Sequence, residues 1–134
     1  MSAVHAIRLS ELHDDKALTL AVLQIGQLLG MYQAELARVL GLQCQDIGEL
    51  AGGKRLLSAD SGAARQGRLF VSLYEQLYQY CHAEPVAIYH WLRARHPHLG
   101  GVPLLLMVDE ARLAELVEWL RMANSGNSTH ASQV

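Results

Sequence analysis

Apolar positions recur at helical spacing along almost the whole chain. Leu18, Val22, Ile25 and Leu29 fall every three or four residues over 16–29, which makes one face of a helix, and Gly30 closes it. Gln33 to Leu40 repeats the pattern with Leu36 and Leu40, and Gly41 is a natural left-handed stop. Gln43 to Leu50 carries Ile47 and Leu50 among polar residues and ends at Gly52-Gly53. Residues 58–67, SADSGAARQG, are small and polar and predict a turn or the start of a helix. Leu69, Leu73, Leu77 and Tyr80 or Cys81 then mark a longer helix. Pro85 suits the first turn of the next, through Ile88, Trp91 and Leu92. HPHLGG at 96–101 is a break, Pro103 opens a short helix PLLLMV, and Asp109 caps a last one with Leu113, Val117 and Leu120 inward. NSGNSTHASQV has nothing to bury and is read as a flexible tail.

No stretch alternates with the period of a strand and no internal repeat stands out, so the predicted class is all-α. The expected organisation is an N-terminal arm at 1–15, a helix-turn-helix bundle at 16–68, a C-terminal helical domain packed on it at 69–122, and the tail at 123–134. With 134 residues, 51% of them hydrophobic, the chain has the material for a real core.

The net charge of −2 does not by itself announce a nucleic-acid partner. Its distribution says more: Lys54, Arg55, Arg65 and Arg68 cluster against Asp60, while the chain from Glu75 onward is net acidic. A phosphate-contacting patch and a solvated loop both fit that cluster. No apolar run approaches the about 20 residues that cross a bilayer. The N-terminus lacks a basic-then-apolar leader, and Cys44 and Cys81 are expected as reduced thiols. A cytoplasmic protein without membrane contact is the expectation.

Two short helices around a glycine turn, the second polar on one side, describe a helix-turn-helix. Its second helix would offer Gln43, Cys44, Gln45, Asp46 and Glu49 to the major groove while Ile47 and Leu50 face inward. Glutamine can bond adenine N6 and N7, and a carboxylate can accept from cytosine N4. Lys54 and Arg55 in the following loop would meet phosphates.

The residues also resemble a family. YQAELARVLGL is similar to the second-helix signature of XRE-type helix-turn-helix domains, with Gln33, Glu35, Leu36, Ala37 and Gly41 in place and Tyr32 where the family has Thr. IGELAGGKRLL resembles the family's closing pattern through Ile47, Leu50, Gly53, Lys54 and Arg55. The resemblance covers about Lys16 to Arg68, and it implies that Gln33 contacts phosphate or base and that residues 43, 44, 45 and 49 enter the groove. Residues 69–122 resemble the toxin-binding domain of Xre/MbcA/ParS antitoxins, through Trp91, Leu92, Pro97, Leu99, Gly100, Gly101, Pro103, Leu104 and Leu106. Together the two imply a homo-oligomeric regulator binding double-stranded promoter DNA, a dimer or a tetramer. The alternative they imply is an antitoxin that neutralises a RES-like toxin and represses its own operon. A scaffold without DNA binding is the third possibility. The oligomer or partner surface is expected at Leu73, Leu77, Trp91, Leu104, Leu105 and Met107, although for the LLLMV run core is the better reading than a protein–protein contact.

Other chemistry is not indicated. His90, His96 and His98, with Cys81 and His82 before them, fit no standard metal-ligand spacing. GGKR at 52–55 follows a helix rather than a strand and lacks the phosphate-loop spacing. Cys44 is read as an inert thiol, since the neighbouring Asp46 does not activate a nucleophile. Tyr74, Tyr78, Tyr80 and Trp91 have no interleaved basic residues and read as core or interface rather than a base-stacking platform. No enzyme, metal or cofactor is expected.

Overall fold

Glycines and short polar side chains set several of the helix ends. The computed structural model describes residues 14–132, with side chains to Gly126, and these residues form seven helices and no strand. They are α1 (Asp15–Leu28), α2 (Gln33–Leu40), α3 (Cys44–Ala51), α4 (Gly62–Tyr80), α5 (Pro85–Arg93), α6 (Pro103–Asp109) and α7 (Leu113–Ser132). Most of the expected N-terminal arm lies outside the described residues. Asp14 starts α1 by accepting the Ala17 N–H at 2.7 Å. The first three helices stop as expected. Gly30, Gly41 and Gly53 take left-handed φ values of 70°, 74° and 77°. The following N–H then reaches back into the helix: Met31 to Gly26 O at 2.9 Å, Leu42 to Ala37 O at 2.8 Å, and Lys54 to Glu49 O at 2.9 Å.

α4 organises the interior. It packs against α1, α2, α5 and α7. Phe70, Val71, Leu73 and Leu77 are fully buried along it. Ser61 caps it by accepting the Ala64 N–H at 3.0 Å, so the helix begins inside the stretch expected as a turn or helix start. A division at 68/69 therefore falls within one helix, and a single hydrophobic cluster runs from Leu18 to Leu120 across it. Gly67 lets α1 approach, since a Cβ there would sit 3.2 Å from Val22 and 3.3 Å from Leu57.

The C-terminal half corrects several expectations. Leu73, Leu77, Trp91, Leu104 and Met107 lie in the chain's own core, so they have no surface to offer a partner, and only Leu105 of that set is exposed. α6 is a buried helix lying against α2, α5 and α7, which accounts for the apolar LLLMV. Asp109 ends α6 and pairs with Arg38 of α2 at 3.1 Å instead of capping the last helix. α7 continues to Ser132, past the position where a flexible tail was expected. Asn124 docks that extension by donating to Gln76 O and Oε1, each at 2.9 Å. The two halves are also tied by Arg93. Its guanidinium lies 3.7 Å over the Tyr89 ring and donates to Leu29 O at 2.9 Å, placing a cation at the carbonyl end of α1.

α4 ends without glycine. His82 and Ala83 take left-handed φ values of 55° and 63°, where a Cβ is disfavoured. His82 is exposed, so its imidazole offsets little of that strain. His82→Gly is expected to raise stability by about 0.5–1 kcal/mol, the relief of strain less the added freedom of the unfolded chain. A higher urea midpoint at unchanged slope would show it.

Candidate nucleic-acid interface

α2 and α3 are held across Gly41 by their apolar sides. α2 buries Leu36, Ala37, Val39 and Leu40, and α3 buries only Ile47 and Leu50. Each helix starts with a carboxylate reaching back to the residue before it: Tyr32 N–H donates to Glu35 Oε1 and Gln43 N–H to Asp46 Oδ2, both at 2.9 Å. Gln43 precedes α3 in extended conformation, so the chain turns sharply between the helices. With Ile47 and Leu50 inward, Gln43, Cys44, Gln45 and Gly48 are exposed on the opposite side, and Asp46 and Glu49 are half-buried at its edge. Gln33, in the first turn of α2, is exposed as well. Gln33, Gln45 and Lys54 make no side-chain hydrogen bond or ion pair with the described residues, so their donors and acceptors are open to a ligand.

Two of the expected contact residues are engaged with each other. Asp46 Oδ1 accepts from Arg55 Nη1 at 2.8 Å while Oδ2 caps α3. The same Arg55 nitrogen lies 3.6 Å from Glu49 Oε1. Arg55 is therefore turned onto α3, and each Asp46 oxygen accepts one hydrogen bond from its own chain. Without DNA, Arg55 and Asp46 are thus paired with each other. One guanidinium against two carboxylates leaves one uncompensated negative charge on this edge.

The loop that carries Lys54 and Arg55 is positioned by a residue that sequence reasoning passed over. Thr19 is 1% exposed on α1. Its Oγ1 donates to Asp15 O at 2.7 Å and accepts the buried Leu57 N–H at 2.9 Å. The available signal was a β-branched hydroxyl beside Leu18 on an otherwise apolar face. Beyond this loop an open depression of about 490 Å³ lies between the Gly41 turn and the start of α4, lined in part by Arg55, Ser58, Ser61 and Arg65. Arg65 makes no ion pair with the described residues, whereas Arg68 turns back to donate to Ala59 O at 3.2 Å. Among the described residues, Lys54 and Arg65 are thus cations free on this side.

The histidines and cysteines do not converge. Among the described residues no group of three or more His, Cys, Asp or Glu side chains is placed to hold a metal ion. His96 packs on Trp91 with ring centroids 4.9 Å apart, while His90 and His98 are exposed. Cys81 is buried, and burial pushes its thiol pKa up, away from reactivity. Cys44 is exposed on the outer side of α3. No helix among the described residues is long and apolar enough to cross a membrane. Comparison with known proteins supplies no family: no protein-family model matches the chain, and no curated protein does either.

Proposed function

We propose that this chain is a cytoplasmic, non-enzymatic regulator that binds double-stranded DNA through α3, acting as a homo-oligomer. The supporting observation is the two-sided character of α3. Ile47 and Leu50 anchor it against the bundle across the left-handed Gly41, while Gln43, Cys44 and Gln45 stand clear of the protein. The major groove, about 12 Å wide, admits a helix presented this way, and glutamine side chains bond adenine edges there. Lys54 and Arg65 on the adjoining loop and on α4 supply phosphate contacts, and Gln33 adds a neutral one. A single short helix contacts few bases, so the proposal includes two copies reading half-sites about 34 Å apart.

Fluorescence anisotropy against the DNA upstream of the coding sequence, with a scrambled duplex as control, tests this over a salt series. A preference of about tenfold or more with a steep salt dependence is expected. Lys54→Ala is expected to weaken binding to both duplexes alike and to reduce the salt slope by about 1. Equal, weak binding of both duplexes by the wild type would reject the proposal.

The uncompensated carboxylate charge beside α3 favours a second reading, an antitoxin whose main partner is a toxin protein. Stable co-purification with the product of a neighbouring toxin-like reading frame, without DNA preference, would establish it.

A further inference from the structure

We propose that Arg55 acts on DNA recognition through Glu49 and not through phosphate, and that Glu49 so held reads a base edge bearing an exocyclic amino group, cytosine N4 or adenine N6. This rests on the DNA-binding reading above.

The geometry separates the two carboxylates of α3. Asp46 is the more engaged and the less exposed, with Oδ2 on the Gln43 N–H, Oδ1 on Arg55 Nη1 at 2.8 Å and its side chain 22% exposed. Glu49 lies three residues on, along the same side of the helix, and meets Arg55 only at 3.6 Å. Its side chain is 39% exposed, so acceptor positions remain for another donor. A carboxylate accepts and never donates. In the major groove its partners are therefore the amino groups of cytosine and adenine, whereas guanine O6 and N7 and thymine O4 repel it.

An uncompensated carboxylate next to phosphates would be pushed out of the groove. Arg55 counters this in two ways: it lowers the charge of the edge by one unit, and it limits where the Glu49 side chain can swing. The fold holds the arginine in place for this. The left-handed turn at Gly53 brings Lys54 N–H onto Glu49 O at 2.9 Å, so the chain doubles back over the last turn of α3. Two residues past Arg55, the Leu57 N–H is tied to buried Thr19 at 2.9 Å. As a stability device the arrangement is weak, since Arg55 is 44% exposed and ion pairs in water contribute little. Adjacent Lys54 has no such pairing among the described residues, which makes the two cations chemically distinct.

Selection from a duplex pool with a randomised centre, followed by anisotropy on the selected duplex and its single-base-pair variants, tests the inference. Wild type is expected to prefer cytosine or adenine at one position by about tenfold. Glu49→Ala is expected to abolish that preference alone. Arg55→Gln is expected to abolish the same preference, with a salt slope like that of wild type, and the double variant to be no worse than either single one. Circular dichroism melts confirm that the variants fold. The inference is overturned if Arg55→Gln weakens every duplex equally and lowers the salt slope by about 1, the behaviour of a phosphate contact. It is also overturned if Glu49→Ala leaves every preference intact. Failure of the DNA-binding reading is seen earlier and separately, as a wild-type protein that enriches no sequence from the pool.

Discussion

Phe70→Ala is expected to lower the stability of the entire chain by about 3–5 kcal/mol, through lost apolar burial and the cavity left behind. Phe70 is fully buried on α4, the helix that packs against α1, α2, α5 and α7. The loss is a large share of the about 5–15 kcal/mol that holds a domain of this size folded. Two probes decide whether it is felt throughout. Both tryptophans, Trp91 and Trp119, lie C-terminal to α4, whereas far-ultraviolet circular dichroism reports helix from both halves. A single urea transition, displaced equally for both probes, is the expected result because one cluster extends from Leu18 to Leu120. Fluorescence that shifts alone, with a second helical transition left in place, would mean that the two halves fold independently.

Thr19→Val is expected to cost about 1–3 kcal/mol despite the near-identical shape of the two side chains. The methyl that replaces the hydroxyl leaves the buried Leu57 N–H with no acceptor and removes the hydroxyl's bond to Asp15 O. Thr19→Ser keeps both bonds and should recover most of the loss. Amide exchange localises the effect: Leu57 should exchange faster in the valine variant than in the serine variant. Loop 52–58 carries Lys54 and Arg55, so under the proposed DNA-binding function the valine variant should also lose DNA affinity beyond what its stability explains. Unchanged exchange at Leu57 would show that the Thr19 bond does not hold the loop.

Much of the fold was legible because it rests on near neighbours in the chain. The apolar spacing of Leu18, Val22, Ile25 and Leu29 marks a helix whatever covers it, and all four are buried. The glycines at 30, 41 and 53 mark its stop and those of α2 and α3, since glycine, lacking a Cβ, takes the left-handed conformation without steric cost. Ile47 and Leu50, three apart in a polar segment, were sufficient to orient α3. The candidate interface was legible to the same depth: which side chains α3 turns outward follows from which two it turns in.

Helical periodicity identifies an apolar face without saying what covers it. The same pattern therefore left Leu73, Leu77 and Met107 open as a partner surface, until the packing of α4 and α6 placed them inside. Pairings across long stretches of chain were out of reach for the same reason: Thr19 with Leu57, Arg93 with Leu29, and Gln76 with Asn124. So was the direction of Arg55. Its charge is plain in the sequence, but whether it meets a phosphate or a carboxylate depends on a loop returning over α3. Local rules settled the helix class, the glycine stops and the outward residues of α3, because each depends on a few adjacent dihedrals and one apolar stripe. Only the packed chain decided which stripes face each other and which charges are already paired, because those depend on distances between residues that the order of the sequence does not contain.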